Sequence, residues 1–147
     1  MKVILQKKRF DPGKLINEFQ NKLENAGAMV NFVGIVRNNH KFNLVKLHIE
    51  HYPEMTKKSL EEIQLISKKR WHLKDSLIIH RYGDLNINEP IMMVITAADH
   101  RLEAFNAAEF LMDYLKSRAP FWKKEFTDDG SVWVSSTESD ENSLNRW

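Results

Sequence analysis

The sequence contains an unbroken apolar run, Ile91-Met92-Met93-Val94-Ile95-Thr96-Ala97-Ala98, which is typical of a strand in a sheet. Directly after this run, Asp99 is placed to cap a helix that begins near Arg101 and ends near Arg118. Pro120 prevents the helix from continuing, because proline lacks the backbone N–H and clashes with the preceding turn. The run therefore predicts a strand that leads directly into a helix.

Outside this unit, the patterns predict two further helices and more strands. One helix begins at Asp11-Pro12 and ends by Gly27, and another extends from Pro53 to about Trp71. The predicted strands are Ala28–Val36, 45–50, Leu77–Ile79 and a hairpin, Phe121–Val134, that turns about Asp129-Gly130. Because strands alternate with three helices and at least one hairpin is present, we expect an α+β domain with a mixed sheet.

The connections carry further expectations. A polar loop over Asn38–Asn43 is expected to join the strand Ala28–Val36 to the strand 45–50 as a hairpin. The segment Gly83–Pro90 has turn-forming residues, which predicts a connection between two strands. The tail, Ser135–Trp147, is polar and is expected to pack only locally.

Composition limits the class of protein. The 147 residues include 22 Lys and Arg against 20 Asp and Glu, and this net charge of +2 is weak evidence for nucleic-acid binding. Cysteine is absent, which excludes a disulfide framework, a thiolate metal site and a cysteine nucleophile on this chain. No apolar run has the length of a signal peptide core or a membrane span. We therefore expect a cytoplasmic protein with one domain, residues 1–147.

Lys116 is the first candidate for chemistry, because it falls within the apolar stripe of the helix 101–118. That stripe is formed by Phe105, Ala108, Met112 and Leu115. A lysine at this position is expected to direct its ammonium into a cleft at the end of the core. The alternative is a lysine that is favoured by the helix dipole and extends its stem along the surface.

His100 and Arg101 lie at the other end of the same helix, where free backbone N–H groups attract anions. Arg101 is unfavourable there as an isolated charge, and a bound phosphate would relieve that conflict. The alternative for Arg101 is a salt bridge to Asp99 or Glu103.

Three other segments contribute cations. Arg37 follows a strand interrupted by Gly34, and strand ends commonly open onto ligand sites. The segment Pro120–Glu125 places aromatic side chains beside Lys123 and Lys124, which suits either a bound planar ring or an aromatic core anchor with exposed lysines. The pair His80-Arg81 also ends an apolar strand, but nothing in the sequence distinguishes it from a structural histidine hydrogen-bonded within the sheet, so we leave it outside the site. The histidines have no spacing suited to a metal.

Taken together, five segments closely resemble the MoaE family, the large catalytic subunits of molybdopterin synthase. The segments are Phe32–Arg37, Glu50–Met55, His80–Gly83, His100-Arg101 and Leu115–Glu125. Their order and spacing span roughly Gly27 to Val134, and the joint pattern is more specific than any one segment.

The resemblance implies an α/β hammerhead fold with a mixed sheet and a small additional antiparallel sheet. It also implies a homodimer within a heterotetramer, completed by a small ubiquitin-like, MoaD-like sulfur carrier whose C-terminal Gly-Gly carries a thiocarboxylate. The implied reaction transfers sulfur from that terminus to cyclic pyranopterin monophosphate, and two transfers make the dithiolene of molybdopterin. No metal or other cofactor is implied. The best rival is a binding module for nucleic acid or a carrier protein that uses the same basic residues.

The resemblance also implies roles for individual residues. Lys116 and Lys123 are the expected catalytic pair, with Lys116 beside the carrier terminus and Lys123 as a general acid or base. The substrate phosphate and pterin are expected to contact the remaining site residues, which are Ile35, Val36, Arg37, His100, Arg101, Lys124 and Glu125.

Overall fold

The computed structural model describes residues 1–38 and 43–147. In these two ranges the chain forms eight strands and four helices. Their bounds are β1 Lys2–Gln6, α1 Pro12–Asn21, β2 Ala28–Ile35, β3 Leu44–His51, α2 Pro53–Trp71, β4 Asp75–Arg81, β5 Gly83–Leu85, β6 Pro90–Ala98, α3 Arg101–Ser117, β7 Phe121–Thr127, β8 Gly130–Val134 and α4 Glu138–Leu144. None of the described helices combines the length and apolar character needed to cross a membrane.

The first sheet has the strand order β1-β4-β6-β2 and is mixed, because β1 pairs with β4 in parallel and the other pairs are antiparallel. On one face, Met92 and Val94 of β6 pack under α2 and α3, and on the other, Met93 and Ile95 pack with Phe19 of α1. Burial on both faces explains why β6 is apolar without alternation. The predicted strand 91–98 and helix from Arg101 are confirmed.

The second sheet is antiparallel, with the order β5-β3-β7-β8. Its inner face carries Leu47 and Ile49 of β3, which form a core cluster with Val36 and Leu85. The α+β class, with a mixed sheet and a second antiparallel sheet, is confirmed. The hairpin at Asp129-Gly130 is also confirmed, since Thr127 pairs with Gly130.

The predicted hairpin between the strands Ala28–Val36 and 45–50 is wrong. β2 pairs with β6 in the first sheet, whereas β3 pairs with β5 and β7 in the second. The alternating pattern of β3 correctly predicted a half-buried strand, but alternation does not identify the neighbouring strand. Most of the predicted polar loop, residues 39–42, lies outside the described residues.

Two helix boundaries also differ from the prediction. α1 ends at Asn21 rather than near Gly27. Gly27 instead lies where the backbone passes close to Asp99, since a Cβ at position 27 would be 2.2 Å from the Asp99 carbonyl oxygen. Asp99 does not cap α3: the N-cap is His100, without a side-chain hydrogen bond, and the Asp99 carboxylate pairs with Lys74 at 3.1 Å.

The tail does not pack only locally, which corrects the prediction for Ser135–Trp147. It forms α4, and the Trp147 ring packs edge-on against Trp71 and Phe110, with centroid distances of 5.5 and 5.7 Å. The Trp147 indole N–H also donates to Asp113 of α3. A polar segment that ends in one aromatic anchor can therefore dock on the core, although its average composition predicts otherwise.

Replacing Trp147 by Ala is expected to lower the free energy of unfolding by about 2 kcal/mol, because the variant loses partly buried aromatic contacts and leaves Asp113 without one donor. Urea denaturation followed by circular dichroism measures this change. Asn145→Ala, at an exposed neighbouring position, is the matched control. Equal stability of both variants would contradict the docking of the tail.

Candidate active site

Lys116 and Lys123 line one cavity of about 160 Å³. The cavity lies between the end of α3, the inner side of β7 and β8, and the segment leading into α4. Its lining comprises Leu115, Lys116, Ala119, Phe121, Lys123, Val134, Ser135, Ser136, Thr137 and Asp140. The two lysines reach it from different elements, seven positions apart in sequence, because the chain reverses direction after α3.

Strand alternation places Lys123 in the cavity. Lys123 pairs with the buried Ile49 of β3 and with Val134 of β8, so its side chain shares their inner face. Lys116 lies in the last turn of α3 and is exposed, although Leu115 beside it is buried. The expected stripe of α3 is therefore shifted: Phe105 is 56% exposed, and Ala104, Ala107 and Leu111 are buried instead.

The charge on Lys123 is the main electrostatic feature of this cavity. The pKa of Lys123 is lowered to about 8, first by burial and then by the positive charge of Lys116, while the carboxylate of Asp140 opposes the shift. At neutral pH about one-tenth of such lysines are uncharged, so the same group can donate or accept a proton. Lys123 therefore has the proton-transfer capacity that a catalytic acid or base needs.

The low pKa predicts that Lys123 reacts with acylating reagents at lower pH than the exposed lysines do. Only the uncharged amine is nucleophilic, so the rate of Lys123 modification is expected to rise with a midpoint near pH 8. Peptide mass spectrometry at a series of pH values measures the rate for each lysine, with the exposed Lys58 as the reference. A Lys123 midpoint equal to that of Lys58 would contradict the assignment.

The strand end at Ile35-Val36-Arg37 lies near the same sheet face. Val36 is 2% exposed, packs with Leu47 and Ile49, and donates its backbone N–H to the Glu89 carbonyl oxygen at 3.0 Å. Ile35 and Arg37 on either side are exposed. The buried Val36 therefore anchors Arg37 beside the inner face of the second sheet.

Lys124 and Glu125 face opposite sides of β7. Glu125 pairs with the buried Leu47 and shares the inner face with Lys123. The Lys124 ammonium instead lies over the ring of Trp133, at 5.1 Å from its centroid, on the outer face. Within one chain, Lys124 is therefore separated from the cavity of Lys116 and Lys123.

His100 and Arg101 lie at the start of α3, about 22 Å along the helix axis from Lys116. Both are exposed. The alternative of a salt bridge is not observed, because Arg101 has no carboxylate within 4.0 Å among residues 1–38 and 43–147. A single chain therefore does not bring these two cations to the lysine pair.

His80, which the sequence left undecided and which was not assigned to the site, has structural contacts. Its Nδ1 lies 2.7 Å from the Arg81 carbonyl oxygen, so this nitrogen carries the proton and donates it. The ring stacks on Phe121 with a centroid distance of 3.8 Å, and burial lowers its pKa to about 3. A neutral His80 thus supports Phe121, two positions before Lys123.

Sequence reasoning missed the contribution of the tail, and in particular Asp140, to this cavity. Thr137 and Asp140 form a capping box at the start of α4, in which each side chain bonds the backbone N–H of the other at 3.1 Å. The pattern Thr-x-x-Asp in the printed sequence was the available signal.

Comparison with known proteins gives a consistent assignment. The sequence profile of the family described as MoaE protein matches residues 5–118. The molybdopterin synthase catalytic subunit of Cereibacter sphaeroides is 52% identical over 147 residues, which cover 100% of both chains. The protein of the same name from Vibrio cholerae is 51% identical over 83% of this chain and 82% of its own.

The fold agrees with a solved structure, the molybdopterin biosynthesis MoaE protein from Burkholderia ambifaria. That structure superimposes with a TM-score of 0.84 at 41% identity and covers 99% of this chain and 97% of its own. The matched profile residues extend from β1 to the end of α3, and the Cereibacter sphaeroides relative and the solved structure also cover the segment around Lys123. The chain belongs to the MoaE family.

Proposed function

We propose that this chain is the catalytic subunit of a molybdopterin synthase, which transfers sulfur from the thiocarboxylated C-terminus of a small ubiquitin-like carrier to cyclic pyranopterin monophosphate. The observation that carries this proposal is the pair Lys116 and Lys123 in one cavity, with the pKa of Lys123 lowered to about 8. The relatives named molybdopterin synthase catalytic subunit support the reaction class.

The chemistry divides between the carrier and this chain. The chain contains no cysteine, so the transferred sulfur comes from the carrier. When the thiocarboxylate sulfur attacks a substrate carbon, a carbon–sulfur bond forms and the substrate oxygen leaves, taking a proton from Lys123. The Lys116 ammonium stabilises the anionic intermediate, and water then releases the carrier terminus as a carboxylate. We assign the reaction to the cytoplasm, where a reducing environment protects a thiocarboxylate from oxidation.

In this proposal, a second copy of the chain supplies His100 and Arg101, which within one copy lie too far from Lys116 and Lys123. Exposed apolar side chains on the edge strand β2 and the first turns of α3 support a homodimer: Phe32, Ile35, Leu102 and Phe105 are 44, 55, 64 and 56% exposed. These residues flank both Arg37 and the pair His100-Arg101. A symmetric contact through this surface places His100 and Arg101 of one copy beside the strand end of the other.

The assigned substrate contacts follow from this arrangement. Arg37 of one copy and His100 and Arg101 of the other bind the phosphate and the pterin, because guanidinium groups grip phosphate oxygens in pairs. The backbone at Ile35 and Val36 forms part of the wall. Glu125 supports the substrate from the inner face, and Lys124 acts from the outer face of β7.

Reconstitution tests the function. The purified chain is mixed with thiocarboxylated carrier and cyclic pyranopterin monophosphate, and sulfur incorporation is followed by mass spectrometry. The expected result is a product that gains two sulfur atoms only when the carrier is thiocarboxylated. Carrier binding without sulfur transfer, or salt-sensitive binding of nucleic acid in its place, would favour a binding module and contradict the proposal.

A further inference from the structure

Asp140 is a wall residue of the lysine cavity whose carboxylate is held by its own helix. It lines the cavity, and one of its oxygens accepts the backbone N–H of Thr137 at 3.1 Å. In turn, the Asp140 backbone N–H donates a hydrogen bond to the Thr137 hydroxyl oxygen at 3.1 Å. The reciprocal bonds fix the carboxylate at the first turn of α4. The pKa of Asp140 is lowered, first by the Thr137 N–H, so the group carries a negative charge at neutral pH.

The carboxylate faces Lys116 and Lys123 without closing an ion pair. In the described part of the chain, Asp140 lies within 4.0 Å of neither ammonium, whereas its neighbour Glu141 pairs with Arg118 at 2.7 Å. Two cations and one anion thus surround a volume of about 160 Å³ that stays open. The capping box explains the separation, because the Asp140 carboxylate cannot move to the lysines without losing its hydrogen bond from the Thr137 N–H.

We propose that Asp140 is a positioning residue for the lysine pair: its fixed carboxylate offsets one positive charge of the cavity and thereby keeps Lys123 able to hold a proton. This inference rests on the proposed function, in which Lys123 donates that proton to the leaving oxygen. Without Asp140, two facing ammonium groups repel each other across a partly enclosed space, and Lys123 loses its proton more readily.

Charged and titratable groups from several elements lie around Lys123. Among the described residues, the charges that act on Lys123 are those of Lys116 from α3 and Asp140 from α4. Lys123 in turn acts on His80 of β4, together with His51 of β3. Burial favours the neutral form of both histidines, so Asp140 is the one anionic member of this set. Glu125 also lies on the inner face of β7, but the carboxylate that raises the pKa of Lys123 is that of Asp140.

The test is Asp140→Asn in the full-length chain. Asparagine retains an oxygen that can accept the Thr137 N–H, so the variant removes the charge and preserves the cap. Lysine side chains labelled with ¹³C report the titration of Lys123 by NMR, independently of turnover. The midpoint is expected to fall by about one pH unit, as for the loss of a nearby opposite charge. In reconstituted sulfur transfer, the limb of the pH profile that depends on Lys123 shifts in the same direction.

Glu138→Gln is the matched control, because Glu138 is an exposed acid in the same turn that does not line the cavity. Its Lys123 midpoint is expected to equal that of the unchanged chain. An unchanged midpoint in Asp140→Asn, or an equal shift in Glu138→Gln, would overturn the inference. If the midpoint falls only in Asp140→Asn but the unchanged chain transfers no sulfur, the positioning of Lys123 stands and the proposed reaction fails.

Discussion

Replacing Lys123 by Met is expected to reduce the rate of sulfur transfer about 1,000-fold while the chain stays folded. Methionine fills a similar volume in the cavity but can neither donate nor accept a proton, and general acid–base catalysis contributes roughly 10²- to 10⁴-fold. The substitution should not destabilise the fold by leaving a buried carboxylate without its ion-pair partner, because Lys123 has no carboxylate within 4.0 Å among the described residues. Single-turnover assays with thiocarboxylated carrier measure the chemical step directly.

Lys58→Met, on the exposed side of α2, is the control for this substitution. It removes the same charge from the protein at a position outside the cavity, so its rate should match that of the unchanged chain. Thermal denaturation of both variants separates a catalytic loss from a folding defect. A Lys123→Met variant that retains more than about a tenth of the rate would contradict the acid–base role, because a loss of less than about tenfold is smaller than general acid–base catalysis contributes.

The second large effect expected is the recovery of activity when two inactive variants are mixed. In the proposed homodimer, Arg101→Ala removes a phosphate contact supplied to the neighbouring copy, and Lys123→Met removes the proton donor within a copy. A mixed dimer then contains one site with both defects and one intact site. Random pairing at equal amounts makes half of the dimers mixed, so about a quarter of the normal activity should return.

Co-expression with two different affinity tags isolates the mixed dimers for this assay. Each variant alone should be inactive, and the purified mixed dimer should have about half the normal rate per dimer. Absence of activity in the mixed dimer would contradict the sharing of the site between copies. Full activity of Arg101→Ala alone would remove Arg101 from the site.

The elements with a strong local pattern could be predicted from the sequence. The run Ile91–Ala98 forms β6, the helix after it begins at Arg101, and α2 matches Pro53–Trp71 at both ends. In each case a long periodic or apolar segment is bounded by a proline or a polar residue, so local and tertiary preferences agree. The gathering of Lys116 and Lys123 also follows, since a reversal after Pro120 returns the chain along the end of α3.

Other features depend on contacts that a local pattern does not contain. β1 and β5 are short, with 5 and 3 residues, and become strands through pairing with β4 and β3. The tail was misjudged because one residue, Trp147, anchors an otherwise polar segment. The distance between Arg101 and Lys116, by contrast, could be predicted: residues at opposite ends of one helix cannot share a pocket without a second copy.

The most direct test of the central claim is to identify the lysine of this chain that the C-terminus of the carrier contacts. A carrier activated at its C-terminal glycine as an acylating ester should form an amide with a lysine of the cavity. Peptide mass spectrometry of the complex is expected to find the adduct on Lys116 or Lys123, at a level that free cyclic pyranopterin monophosphate lowers. Adducts confined to lysines outside the site, such as the exposed Lys58 of α2, would contradict the account.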